Sequence, residues 1–220
     1  MIVERLTQLR ERLEKAAGRA GRRPEEITLV AVSKTKPAAD ILSAYEAGQR
    51  HFGESYVQEF ERKSLEIGEL PGATFHFIGR LQSNKTTPAA KLFQVIQTVD
   101  SVKIARRLNE TAIPLDVFLE VKISPEETKG GVTEEDLPEL KQFVEQCENL
   151  RLRGLMGMPP WSAEAEPSRP YFERLRCLGE RYGLRELSMG MSHDFEVAIE
   201  EGATLIRIGT ALFGKRIYAP

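Results

Sequence analysis

Residues 186–214 read ELSMGMSHDFEVAIEEGATLIRIGTALFG. Two short apolar runs, 186–189 and 204–209, bracket HDFEVAIEEG, which mixes charged and apolar residues as a surface helix does and closes on Gly202. Strand, helix and strand, with a glycine-bearing turn after each strand, is the βα repeat of a parallel sheet. The same alternation runs back to residue 27. Further strand candidates are ITLVAVS (27–33), RHFG (50–53), TFHFIG (74–79), VIQTV (95–99), LDVFLEV (115–121) and LRGLMGM (152–158). Between them lie the helix candidates PAADILSAYEAG, with Pro37 in its first turn, SYVQEFERKSLEIG, SVKIARRLNE, TEEDLPELKQFVEQCE and RPYFERLRCLGERYG. Ahead of the first strand, Ile2, Leu6, Leu9, Leu13 and Ala17 form the stripe of an amphipathic helix ended by Gly18 and Gly21. About eight βα units in 220 residues predict an α/β fold: one TIM (β/α)8 barrel over 1–220 with an extra N-terminal helix. A doubly wound open sheet competes, but it has fewer strands and a glycine-rich first turn, whereas the first strand here runs into SKTKP.

Hydrophobic residues make up 41% of the chain and charged residues 29%, enough apolar material for a core. The 31 Lys+Arg against 33 Asp+Glu leave a net charge of -2, which gives no global attraction to nucleic acid or to anionic membranes. No run approaches the roughly 20 apolar residues of a bilayer span, and the N-terminal segment carries too many acids for a leader. Cys147 and Cys177 cannot build a disulfide framework, so a reducing cytoplasmic setting is expected. His51, His76 and His193 lie far apart in sequence without zinc spacing, and no metal is expected. The loops LQSNK (81–85) and ETKGG (127–131) read as polar turns that either face a ligand or simply reverse the chain. MPPWSAEAEPSRP reads as a rim loop after the sixth strand.

A barrel places its reactive groups just past the carboxyl ends of the strands. Lys34 follows LVAVS, a run apolar enough to be buried; it is either a solvated strand-end lysine, like Lys36, or an amine whose charge is disfavoured and which attacks an aldehyde. After the seventh strand, Gly190 allows a close backbone approach and Ser192 stands where a hydroxyl and free amides bind an anion; Gly209 and Thr210 repeat the device after the eighth. These are the loops that hold phosphate in this fold. Arg207 sets a permanent cation between two isoleucines and needs an acceptor, either a core carboxylate such as Glu120 or a ligand. An aldehyde-reactive lysine, a phosphate cradle and a buried arginine converge on pyridoxal 5'-phosphate.

AVSKT, HFGESYVQE, FHFIGRLQSNK and SMGMSHDFEVAIEEGATLIRIGTALFG resemble the pyridoxal-phosphate homeostasis proteins over essentially the whole chain. The resemblance implies a barrel like the N-terminal domain of alanine racemase, with the cofactor in a Schiff base on Lys34. It also implies phosphate on Ser192, Gly209 and Thr210, Arg207 facing the ring nitrogen, and Met191 and Ser55 beside the cofactor. Ser55 departs from the family's GENYVQE, which has Asn there. The expected function is intracellular cofactor buffering or delivery, with apo-enzymes that need the cofactor as partners and a monomeric protein. The alternative is an amino-acid racemase or lyase. Against it, the chain stops at Pro220 with no added domain to supply a second acid/base group, although Tyr56 is a candidate.

Overall fold

A computed structural model describes residues 1–126 and 130–215. Most of ETKGG, residues 127–129, lies outside the described residues, as does 216–220. Eight strands, β1 (Thr28–Val32), β2 (His51–Glu54), β3 (Thr74–Phe77), β4 (Val95–Val99), β5 (Leu115–Val121), β6 (Leu150–Gly157), β7 (Glu186–Met191) and β8 (Leu205–Ile208), close into a barrel in chain order. Every neighbouring pair is parallel. Closure is made by β8 on β1, in a register from Thr28 beside Leu205 to Ala31 beside Ile208, and leaves no unpaired sheet edge.

The helices α1 (Ile2–Arg19), α2 (Ala38–Glu46), α3 (Val57–Ile67), α4 (Thr86–Leu92), α5 (Val102–Asn109), α6 (Leu137–Glu145), α7 (Arg169–Tyr182), α8 (Phe195–Glu200) and α9 (Thr210–Phe213) surround the barrel. Helix α1 buries Leu6, Leu9, Leu13, Ala16 and Ala17, the predicted stripe, against α8, α9 and α2. It thus spans the seam between the last and first βα units. Its ion pairs to α8, Arg12 with Glu196 at 2.8 Å and Arg19 with Glu200 at 2.8 Å, are solvent-facing and contribute little. The buried leucines, at about 1.5–3 kcal/mol each, dominate the seam.

Helix α4 is absent from the sequence reading because Pro88 masks it. In the structure Pro88 is the third helical residue, where its missing N–H has no intrahelical partner to lose. Pro37, expected in the first turn of α2, caps it instead. β7 runs two residues beyond its expected end, with its register to β8 shifted between Ser188 and Met191. Gly190 has φ +90, and a Cβ there would stand 2.5 Å from the Ala198 Cβ and 3.0 Å from the Phe195 Cα. The close approach that this glycine permits is therefore to α8.

The barrel divides the core in two. Outside, between strands and helices, lies the main apolar layer with Phe52, Phe60, Phe77, Phe93 and Phe195. Inside, Val30, Val95, Phe118, Met156 and Leu205 form a small apolar cluster, and His76, Gln97, Glu120, Ser188 and Arg207 are buried polar residues.

Candidate functional site

Lys34 lies two residues past the end of β1, half-buried. The backbone on both sides of it is fixed by one buried ion cluster. The Lys63 ammonium, from α3, donates to the Ser33 carbonyl at 2.8 Å and to Glu54 Oε1 at 2.8 Å. Ser33 Oγ donates to the same Glu54 oxygen at 2.8 Å. Glu59 pairs with Lys63 at 2.6 Å and accepts the Thr35 amide at 2.6 Å. Thr35 holds φ +63, a conformation unfavourable for a β-branched residue, so the turn carrying Lys34 is imposed by these bonds. Burial pushes the Glu54 carboxyl up and the Lys63 charge opposes that shift. The cluster escaped sequence reading, although Glu59 and Lys63 at i, i+4 are its visible trace.

Lys34 lines a cavity of about 860 Å³ together with Ser55, Tyr56, Arg80, Asp100 and Met158. Ser55 Oγ is buried there without a hydrogen-bond partner. Lys36, the competing lysine, donates to the Lys215 carbonyl at 2.9 Å.

Ser192, Gly209 and Thr210 do not line that cavity but meet one another beside it. Gly209 adjoins β1: a Cβ built on it would lie 3.6 Å from the Val32 Cβ and from the Val32 carbonyl oxygen. The amides of Gly209 and Ala211 both donate to Ser192 Oγ, each at 3.3 Å. Two amides converging on one oxygen, through long bonds, define a spot suited to an anionic oxygen. Thr210 is exposed at the start of α9, and Met191 pairs with Arg207 across β7 and β8. The turn after β7 is braced by Asp194, which accepts the Met191 amide at 2.6 Å and the Ser168 hydroxyl at 3.1 Å. Nothing in the sequence marks Asp194 for this part.

Arg207 is buried inside the barrel. Its Nη1 donates to Ser188 Oγ at 2.7 Å and its Nη2 to the Gly157 carbonyl at 3.1 Å. The guanidinium is therefore held by neutral acceptors, and the carboxylate pairing weighed for Glu120 gives way to an interaction through space. Burial lowers the Arg207 pKa to about 10 against the fields of Asp194 and Glu120. Glu120 is pushed up to about 7, chiefly by burial and then by Asp100, while Arg207 and Arg80 oppose the shift. His51 and His76, remote in sequence, touch across β2 and β3 with Nδ1 and Nε2 3.0 Å apart. Among the described residues no group of three or more His, Cys, Asp or Glu is placed to hold a metal ion, and no helix is long and apolar enough to cross a membrane.

Residues 5–217 match the family model for the alanine racemase N-terminal domain, which sets the class of barrel. Alanine racemase from Corynebacterium glutamicum shares that fold, with a TM-score of 0.68 at 15% identity over 97% of this chain and 61% of its own. The pyridoxal phosphate homeostasis protein of Pseudomonas aeruginosa is 50% identical over 99% of this chain and 96% of its own, and that of Aquifex aeolicus 44% identical over 98% of each. The structure of PipY from Synechococcus elongatus PCC7942 with pyridoxal phosphate bound has a TM-score of 0.84 at 38% identity, covering 97% of this chain and 100% of that one. The chain belongs to the pyridoxal phosphate homeostasis protein family.

Proposed function

We propose that this protein binds pyridoxal 5'-phosphate through Lys34 and serves intracellular cofactor homeostasis, by buffering or delivery, without a committed catalytic turnover. The observation that carries the reading is the pairing of a half-buried lysine, fixed in a strained turn, with two amides that converge on one oxygen in the adjoining turn. A phosphorylated aldehyde needs that combination. The orphaned Ser55 hydroxyl adds a polar atom that a ligand in the cavity would satisfy. PipY, a relative that aligns over nearly the full length, has pyridoxal phosphate bound.

In this reading Lys34 supplies the amine, the Ser192 hydroxyl and the Gly209 and Ala211 amides take the phosphate, and Thr210 adds a hydroxyl from the start of α9. Arg207 meets the ring nitrogen, with Met191 and Ser55 alongside. The bound cofactor supplies an aldehyde that condenses reversibly with amines. Without a ligand the two amides rest on the Ser192 oxygen; with a phosphate oxygen competing for them, the Ser192 proton is still left to donate. Arg207, held by neutral acceptors, keeps its full charge and opposes a proton on a nitrogen beside it. That weakens the ring as an electron sink and favours holding the cofactor over turning over amino acids. A cavity wider than the cofactor leaves access for an incoming amine, including a lysine of an apo-enzyme.

Borohydride reduction of the loaded protein, followed by peptide mapping, tests the assignment. The expected result is the reduced cofactor on Lys34 and a colourless Lys34→Ala variant. Label on Lys36 or Lys122, with Lys34→Ala still yellow, overturns it.

A further inference from the structure

A continuous row of hydrogen bonds crosses the barrel interior beneath Arg207. Ser188 Oγ, which accepts from Arg207, lies 2.7 Å from Gln97 Oε1 on β4. Gln97 Nε2 lies 3.0 Å from His76 Nδ1 on β3, and His76 Nε2 lies 3.0 Å from His51 Nδ1 on β2. Gln97 and Ser188 are fully buried and His76 nearly so.

The direction of every bond follows from the end that cannot vary. A guanidinium only donates, so Ser188 accepts from it and turns its own proton to the Gln97 carbonyl. The Gln97 amide group then donates to His76 Nδ1, which must be unprotonated, and the remaining N–H of His76 donates to His51. Burial and the neighbouring His51 hold His76 far below its ordinary range, at about 3, so this polarity is stable at neutral pH. With Gln97 turned over, the Ser188 proton would lose the Gln97 carbonyl as its acceptor and His76 would have to carry its proton on Nδ1 instead of Nε2.

We propose that Gln97 and His76 are positioning residues for Arg207: they keep the Ser188 hydroxyl as its acceptor and thereby fix its charge against the ring nitrogen of the cofactor. The second half rests on the reading that Arg207 meets that nitrogen. The first half concerns this chain alone.

Two measurements on the full-length protein separate them. In the protein without cofactor, nitrogen-15 NMR reads rotation of the Arg207 guanidinium about its Nε–Cζ bond. Gln97→Leu and Ser188→Ala should each speed it at least about tenfold, the effect of losing one charge-assisted hydrogen bond. Unchanged rotation in Gln97→Leu overturns the proposal, whatever Ser188→Ala does. With pyridoxal phosphate added, the pyridine nitrogen resonance should move in Gln97→Leu in the direction it moves in Arg207→Gln. If Arg207→Gln leaves it unmoved, the placement of Arg207 at the ring is wrong while the rotation result stands. Gln97→Glu covers the case in which a leucine does not fold. It keeps the acceptor toward Ser188 and demands a donor from His76, which the neutral tautomer with its proton on Nδ1 supplies, so Arg207 rotation should stay slow and the His76 proton should move from Nε2 to Nδ1. A His76 that already carries its proton on Nδ1 in the parent, read from its nitrogen-15 shifts, overturns the assigned polarity.

Discussion

The ammonium of Lys63 lies 2.8 Å from the carbonyl oxygen of Ser33, the residue before Lys34, and the same nitrogen neutralises Glu54. A buried cation on α3 is thereby bonded to the turn that presents the candidate cofactor lysine. Removing one partner of a buried pair costs about 3–5 kcal/mol because the other charge is stranded. Lys63→Met should therefore destabilise the fold strongly in denaturant titration and slow the reaction of Lys34 with pyridoxal phosphate. Lys63→Met with Glu54→Gln should recover much of the stability while the reaction at Lys34 stays slow. Equal recovery of both would reduce the cluster to a packing element.

Much of the architecture is legible in the sequence because parallel strands buried on both faces print as apolar runs, as in VIQTV and LDVFLEV, which match β4 and β5 residue for residue. The prominent candidate residues are legible because they break a pattern: a lysine after LVAVS, an arginine inside TLIRIG. Their supports are not. Glu54, Lys63 and Gln97 act through contacts between different elements, as Asp194 does through Ser168, and the Glu59–Lys63 spacing, which equally fits an exposed pair, does not show that Lys63 is buried. The contact of His51 with His76 needs the β2–β3 register, in which Gly53 sits beside His76.

At the candidate anion site the Ser192 oxygen gathers the Gly209 and Ala211 amides at 3.3 Å. Neutral donors to a charged oxygen contribute about 1.5–3 kcal/mol each, so Ser192→Ala with Thr210→Ala should weaken pyridoxal phosphate binding at least about tenfold. Pyridoxal without the phosphate should be nearly unaffected. Equal losses for the two ligands, read by fluorescence or absorbance titration, would point to a disturbed fold.

Glu120 makes stability pH-dependent with a sign opposite to that of an ion-paired carboxylate. Its carboxyl is pushed up to about 7 from a reference of 4.5, so the folded chain holds a proton that the unfolded chain has released. Between those values stability falls as pH rises, by about 3 kcal/mol in all. Glu120→Gln, neutral throughout, should gain stability relative to the parent on going from pH 5 to pH 8 in thermal or denaturant unfolding. A difference that does not change with pH would show that Glu120 titrates normally.

Tyr56, by its place, and Glu120, by its shifted acidity, are the two candidates for an acid/base role that would make the protein an enzyme. Tyr56 caps α3, is half-exposed and lines the same cavity as Lys34; Glu120 is shifted to about 7, where an acid/base group is effective. Against them stands the charge of Arg207, whose hydrogen-bond acceptors are both neutral. The expected outcome is exchange of amino-acid α-protons with deuterated solvent no faster than free pyridoxal phosphate gives, while displacement of the cofactor from Lys34 by amines proceeds slowly, since that needs only access and a free amine. The measurement is proton NMR on a panel of amino acids with the parent, Tyr56→Phe and Glu120→Gln. Exchange well above the free-cofactor rate and abolished in either variant would identify a working base and move the protein to the racemase or lyase class.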